Sequence, residues 1–344
     1  MPLLQVNANG LYCSAGDFYI DPWNPVPFAI VTHAHSDHAR WGSRRYLAAQ
    51  DGLGLLRVRL GMDAEIEGIP YGETRSLGGV RVSLHPAGHV LGSAQVRIEH
   101  RGEVWVVTGD YKRQPDPTCQ PFEPVRCHAL VTESTFGLPL FRWKPTEEIA
   151  GEINAWWREN QAQGRASMLY AYAVGKAQRV LAYLDPSIGP IFLHGAMLAT
   201  TRAYREAGVA LPPTSTVLAA PKDQDWSQAI ILAPPSAHGS PWLRRFGDLS
   251  TAAASGWMRV RGIRRRKAMD RGFVLSDHVD WPALLQTIDE SEAEQVFVTH
   301  GYTGPVVRYL RERGLQAAIL ETRFLGESLE VDEAPELVAA EETS

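Results

Sequence analysis

His33-Ala34-His35-Ser36-Asp37-His38 puts three imidazoles and one carboxylate inside six residues, directly after the apolar run Phe28-Ala29-Ile30-Val31. Imidazole suits zinc, and a carboxylate beside it lets one cluster serve two ions, His33 and His35 facing one while Asp37 and His38 face the other. A lone histidine in a turn would be an ordinary solvated side chain. Three with an aspartate, just past a buried strand, read as a metal site.

Working outward, Gly10-Leu11-Tyr12-Cys13, Phe18-Tyr19-Ile20 and the run closing at Thr32 read as short strands. Asp21, just before Pro22, either caps that turn or holds a metal-site histidine through its second ring nitrogen. Arg44 to Arg59 mixes helix and strand signals between glycines and is expected to be surface connection. Val80, Val82, Leu84 and then Ala94, Val96, Ile98 alternate with polar residues, so two half-buried strands flank a loop carrying His89. His85 competes for a ligand role, but glycines beside His89 permit the close backbone approach a metal loop requires. Val104-Trp105-Val106-Val107-Thr108 leads to Asp110, Ala129-Leu130-Val131-Thr132 to Glu133, and Val296-Phe297-Val298-Thr299 to His300. With His33, four strands thus end on a metal-type or acid/base side chain, where α/β sheets gather their functional groups.

The 344 residues are 44% apolar with a net charge of −5, a composition that fits a soluble globular protein of one large or two ordinary domains. The charge excludes a generally basic nucleic-acid binder, so affinity for a polyanion must come from a local patch or from metal ions. Cys13, Cys119 and Cys127 form no C-x-x-C pair and leave one over, which argues against a disulfide framework or a zinc knuckle and for a reducing cytoplasm. No basic-flanked leader and no stretch near the roughly 20 apolar residues of a membrane span is visible, so no membrane is expected.

Between Glu133 and His278, Thr146 to Asn160 predicts a helix with Thr146 as N-cap and Ile149, Ile153, Trp156 and Trp157 as a core-facing stripe. The strand Ala166–Tyr172 then runs through Gly175-Lys176 into a helix over Ala177–Leu184, a unit whose free amides and ammonium could meet a phosphate. His194 and His238 also follow strands, as ordinary loop residues or as substrate contacts. Arg259, Arg261, Arg264, Arg265, Arg266 and Lys267 form the one basic concentration, expected to touch a nucleic-acid backbone rather than to be merely a solvated face. The acidic tail from Glu327 is expected to fray.

H-x-H-x-D-H, a later Gly-His, a Gly-Asp after a strand and a final His-Gly together resemble the metallo-β-lactamase fold over most of the chain. Thr132-Glu133-Ser134-Thr135-Phe136-Gly137, Leu275-Ser276-Asp277-His278 and Thr299-His300-Gly301 resemble the three further motifs of its β-CASP nucleases. Ser14-Ala15-Gly16-Asp17-Phe18-Tyr19-Ile20-Asp21-Pro22-Trp23, Tyr71-Gly72-Glu73-Thr74 and Asp116-Pro117-Thr118-Cys119 are similar to the bacterial ligase-associated DNA exonucleases.

The resemblance implies an α/β fold: a four-layer αβ/βα metallo-β-lactamase sandwich from residues 1–140 and 272–344, with a β-CASP α/β cap inserted at 141–271. It implies that His33, His35 and His89 hold one metal, that Asp37, His38 and His300 hold the second, and that Asp110 bridges them. Two divalent ions are expected, zinc first and manganese second, with a hydroxide between them as the nucleophile. His278, oriented by Glu133, is the implied acid; Asp37 and Asp110 complete the catalytic set and Asp21 supports it. The implied activity is DNA exonuclease in repair, from the 5′ end, with a DNA ligase and a helicase as functional neighbours. An RNA-processing β-CASP nuclease shares all of this chemistry and is the alternative. Small-ester or lactam hydrolysis fits the long insertion and His278 poorly, and a non-catalytic binding subunit would lack ligands that are all present here.

Overall fold

Short apolar runs bounded by glycine, proline and aspartate build the sheets. The computed structural model of the chain describes residues 2–262 and 269–323. Arg264, Arg265, Arg266 and Lys267, and the tail from Glu327, lie outside the described residues.

The first sheet runs in chain order through β1 (Gln5–Asn7), β2 (Gly10–Cys13), β3 (Phe18–Ile20), β4 (Phe28–Ile30), β5 (Arg45–Ala49) and β6 (Ile66–Ile69). It is antiparallel up to β3 and parallel beyond. The second contains β7 (Thr74–Leu77), β8 (Val80–Pro86), β9 (Ala94–His100), β10 (Glu103–Val107) and β11 (Ala129–Ser134). Two late strands, β18 (Gln295–Gly301) and β19 (Gln316–Ile319), extend it beyond β11 in parallel. The third sheet is wholly parallel and uses only intervening strands: β12 (Ala166–Tyr170), β13 (Ile191–Leu193), β14 (Ser215–Thr216), β15 (Ile230–Ala233), β16 (Leu249–Ala254) and β17 (Arg271–Phe273). Its order is β14-β13-β15-β12-β16-β17.

Period-two alternation explains the packing of the first two sheets. Val80, Val82 and Leu84 of β8 and Trp105 and Val107 of β10 share a core with Leu11, Phe18, Ile20, Ile30 and Leu47 of the first sheet. Val106, between those two β10 residues, points the other way onto the helices Trp281–Ser291 and Thr303–Glu312. A strand buried on both faces is why residues 104–107 read as one continuous apolar run. On the far face of the first sheet, Ala29, Val31, Tyr46 and Ala48 meet α1 (Leu53–Leu60) through Leu55 and Leu56.

Two readings are corrected here. Arg44 to Arg59 is not surface connection: Tyr46, Leu47, Ala48 and Ala49 are buried in β5 between β4 and β6, and α1 follows. Thr146 is not the N-cap of α2 (Thr146–Ala162); Pro145 holds that position, no side chain caps the helix, and Thr146 is a buried residue of its first turn. The apolar stripe stands as read, with α2 set against β12 and α3 (Lys176–Tyr183). Among the described residues, no helix is long and apolar enough to cross a membrane.

Trp157 is 0% exposed and donates its indole N–H to the Gln228 carbonyl at 3.2 Å. Trp157→Ala should therefore lower stability by about 3–5 kcal/mol, the range for truncating a buried aromatic. A urea midpoint equal to that of the unmodified chain would remove Trp157 from the core.

Candidate metal centre

Strand ends create the site. His33 follows β4, Asp110 follows β10, Glu133 lies in β11 and His300 in β18, all at the carboxyl ends of parallel-paired strands. The two sheets meet there: Ala94 N–H donates to the Thr32 carbonyl at 2.8 Å, and Gly109 packs directly on the Thr32 side chain. The His89 loop closes in from β8, and its glycines act as read. A Cβ on Gly88 would lie 2.2 Å from the Lys112 carbonyl oxygen, and one on Gly92 2.1 Å from Gly52 Cα, both at positive φ. His300 sits on a register shift opposite Glu133 and Ser134, at φ 22°. This bulge turns its ring toward Asp110, a way sheets re-aim a side chain at a functional edge.

Each of four histidines has one ring nitrogen committed to an oxygen. His33 Nδ1 faces Thr32 Oγ1 at 3.0 Å, and that hydroxyl donates to Asp21 Oδ2 at 2.6 Å. His38 Nδ1 donates to Asp21 Oδ2 at 2.7 Å, His89 Nδ1 to the Asp277 carbonyl at 2.8 Å, and His35 Nε2 to the Val174 carbonyl at 3.2 Å. These bonds engage one nitrogen of each ring and leave the second facing into the site, with a lone pair wherever the ring is neutral, the arrangement a metal-ligating histidine requires. His89 Nε2 and His35 Nδ1 then face each other at 3.1 Å, and buried His33 Nε2 has no hydrogen-bond partner among the described residues. Two lone pairs at that distance call for a cation between them.

Asp110, 2% exposed, stands at the centre. Its Oδ2 lies 3.5 Å from His33 Nε2, 3.6 Å from His38 Nε2 and 3.9 Å from His89 Nε2, while Oδ1 is 2.8 Å from His300 Nε2. Ligands about 2.0–2.1 Å from a tetrahedral ion lie about 3.4 Å from one another, so these spacings fit atoms sharing an ion. Three groups emerge among the described residues, His33-His35-His89-Asp110, His38-Asp110-His300 and Asp110-Glu133-His278, with Asp110 common to all of them. Asp37 adjoins the second, its Oδ2 3.7 Å from His38 Nε2.

Burial pushes the His33, His35 and His89 imidazoles below their ordinary pKa, neutral and ready to ligate. Burial also disfavours charge on His38, but Asp110, Asp37 and Asp21 overcome it and raise its pKa to about 10. Asp110, although buried, is held well below the usual carboxylate range by His38, His300 and His278.

His278 is placed differently. Its Nδ1 donates to Glu133, 2.9 Å from Oε2 and 3.1 Å from Oε1, and Glu133 Oε1 also accepts the Tyr111 N–H at 2.8 Å. Glu133 is fully buried. Nδ1 is thus engaged by a carboxylate, which leaves Nε2 as the ring's exchangeable position.

Behind His89 and His278 lies a buried ionic network that sequence reading missed. Arg179 of α3 pairs with Asp116 at 2.6 Å and Asp277 at 3.3 Å, and donates to the carbonyls of His89 at 3.0 Å and Ser276 at 3.2 Å. Lys112 donates to the same Ser276 carbonyl at 2.7 Å. The phosphate cradle expected at Gly175-Lys176 is corrected: the Gly175 N–H donates to Gln178 Oε1 at 2.8 Å, and Lys176, 1% exposed, lies 3.4 Å from Asp277. Asp116-Pro117-Thr118-Cys119 and Asp277 are its visible sequence signals. His85 pairs with Glu123 and Ser83, outside the cluster. His194 caps a turn and packs on Trp242, His238 packs on Tyr170, and Arg259 donates to the Leu140 carbonyl.

No family model matches the chain. Among curated proteins it is similar to one of Opitutus terrae named "Probable DNA ligase", 32% identical over 314 residues that make up 90% of this chain and 30% of that protein. It is also similar to the endoribonuclease ysh-1 of Neurospora crassa, 33% identical over 129 residues, 35% of this chain and 14% of the relative. The cleavage and polyadenylation specificity factor 73 of Drosophila melanogaster is 31% identical over 181 residues, 51% of this chain and 26% of the relative. The chain spans less than a third of the length of each of these relatives. Among solved structures, a protein of unknown function from Enterococcus faecalis is 13% identical with a TM-score of 0.61, covering 86% of this chain and 80% of that one. At that identity the likeness concerns the fold alone.

Asp21→Asn should leave the chain folded but weaken metal binding about 10- to 100-fold, because His38 loses the carboxylate that orients it. Competition against a chelator measures this, and unchanged affinity would return Asp21 to a turn-capping role. The metal-free protein has a matching pH signature. The raised His38 pKa stabilises the fold fully below about 6.5 and this contribution is lost as pH rises through about 10. That alkaline loss should be smaller in Asp21→Asn, as read by thermal unfolding in chelator.

Proposed function

Because the chain belongs to the β-CASP group of metallo-β-lactamase-fold nucleases, we propose that it is a metal-dependent DNA exonuclease of DNA repair, acting from the 5′ end. The observation that carries this reading is the convergence of five imidazoles on Asp110 beside a sixth, His278, held on Glu133. Metal ligands and a separately oriented acid are what in-line phosphodiester hydrolysis needs.

We read the packing as four layers, helices on each outer face of the first two sheets, formed by residues 1–140 and 272–344. The cap is 141–271. Strands β11 and β18, which pair directly, flank the insertion, and the third sheet lies wholly within it apart from β17 at its end. His33, His35, His89 and Asp110 would hold one ion, and Asp37, His38, His300 and Asp110 the other, zinc by donor type with manganese second. When bound, the ions supply an activated water and neutralise charge on the phosphate. Thr32 and Asp21 hold the rings of His33 and His38 in their ligating tautomers. Glu133 aims His278 and stabilises its protonated form, so that Nε2 can pass a proton to the departing sugar oxygen.

DNA is favoured because the match to a protein named as a DNA ligase takes in 90% of this chain. RNA processing is the second reading, favoured by relatives named as an endoribonuclease and a polyadenylation factor, which match 35% and 51% of it. A ligase and a helicase are the functional neighbours this reading proposes, in the cytoplasm. Digestion of DNA and RNA strands labelled at either end, with zinc and manganese compared, separates substrate, polarity and metal. Release of mononucleotides from the 5′ end of DNA is expected; RNA cleaved in preference would establish the second reading.

Two variants test the roles. Asp110→Asn should abolish hydrolysis and reduce bound metal, and full occupancy with normal turnover would overturn its bridging role. His278→Ala should keep both metals while kcat falls about 10²–10⁴-fold, recovering most on a nitrophenyl phosphodiester whose leaving group needs no proton. Loss of a metal equivalent would make His278 a ligand instead, and equal losses on both substrates would defeat the proton-donor role.

A further inference from the structure

Trp41 is 78% exposed, three residues beyond His38. Tryptophan is on average a well-buried side chain, and three residues of chain reach at most about 10 Å, so the Trp41 backbone lies within that distance of His38. Its loop is fixed. Buried Tyr46 donates its hydroxyl to the Arg40 carbonyl and accepts the Ser43 N–H, both at 2.9 Å. Arg44 N–H donates to the Val26 carbonyl at 3.0 Å, and Val26 N–H to Ser43 Oγ at 3.2 Å. On the metal side, Arg59 of α1 donates to the carbonyls of Ala39 at 3.2 Å and Ser36 at 3.4 Å. An aromatic ring on a loop tied at both ends loses little freedom when something stacks on it.

Charge on either side is cationic and uncommitted. Arg45 is occupied by Glu65 and Glu67, but Arg40 and Arg44 form no ion pair with any carboxylate among the described residues, and the Nε of Arg40 is buried without a hydrogen-bond partner. Arg44 is exposed and Arg40 half-buried, and two guanidinium groups with no carboxylate partner among the described residues, one on each side of an exposed indole in the chain, fit an anionic ligand that also has a flat face. A single-stranded nucleic acid has both along its whole length.

Resting on the nuclease reading above, we propose that Trp41 is a stacking platform for an unpaired base of the substrate strand, with Arg40 and Arg44 meeting the adjoining phosphates. Stacking uses the π-face that every base carries, so the platform holds a strand without reading its sequence. The subsite belongs to the metal-ligand loop itself, three residues beyond His38.

The test uses the full chain with metal, on a single-stranded oligonucleotide and on a nitrophenyl phosphodiester too small to reach the loop. Trp41→Ala should raise KM for the strand about 5- to 100-fold with kcat retained; the small diester should be turned over as before, and Trp41→Phe should recover most of the loss. Arg44→Gln should reduce the salt dependence of strand binding by about 0.7 in log–log slope. An unchanged KM in Trp41→Ala, while the unmodified chain degrades the strand normally, would overturn the platform and leave the nuclease reading standing. Equal losses on both substrates would show a disturbed ligand loop and also overturn it. If the unmodified chain hydrolyses the small diester but neither binds nor cleaves strands, the nuclease reading fails and the platform fails with it, leaving Trp41 as a contact for another protein.

Discussion

A buried carboxylate needs compensation, and the Asp110 side chain has it from every direction. Its two oxygens face His33, His38, His89, His278 and His300, and these come from the ends of β4 and β18, the H-x-H-x-D-H loop, the β8–β9 loop and the segment after β17. Removing the charge would leave several imidazoles facing one another, and removing the imidazoles would leave a desolvated anion whose burial is opposed by several kcal/mol. The site is therefore a mutual arrangement of weakly stable parts, which is the usual condition of a centre built to receive cations.

Local strain gathers at the same place. Asp21, at φ 43°, and His300, at φ 22°, adopt left-handed backbone that a side chain with a Cβ adopts at a cost of roughly 1–3 kcal/mol each. Both are held there by bonds that over-determine them. Asp21 accepts from Thr32 N–H, Thr32 Oγ1 and His38 Nδ1, and Ser134 Oγ donates to the His300 carbonyl at 2.6 Å. The strain places Asp21 beneath two ligand rings at once, something neither of its sequence roles alone would need.

Much of this was legible because metal chemistry uses few residue types and puts them at strand ends. A continuous apolar run followed by Asp, Glu or His is a strong local signal, and it marked His33, Asp110, Glu133 and His300. The misses have a common physical cause. Lys112, Lys176 and Arg179 look like surface residues in one dimension, since a buried cation is recognisable only by the acceptors that surround it, and those lie 63 residues away for Arg179 and Asp116, 101 for Lys176 and Asp277 and 164 for Lys112 and the Ser276 carbonyl. Likewise Tyr46-Leu47-Ala48-Ala49 is too short and too rich in alanine to declare a strand; burial between two parallel neighbours decides it.

The segment that carries the third sheet is tied to the metal centre by side-chain contacts. His278 follows the inserted segment, yet its partner Glu133 precedes it, so the pair forms only when the segment returns to the place it left. Arg179, carried by α3, grips the Ser276 and His89 carbonyls together, and Lys112, from the loop after β10, grips Ser276 from the other side. A shift of α3 would move the His89 loop and the segment carrying His278 at the same time. Charge pairs buried this completely are poor sources of net stability but strict about geometry. Their position between the third sheet and the metal centre fits a demand for fixed orientation, where misplacement by an ångström would separate the acid from the reacting phosphate.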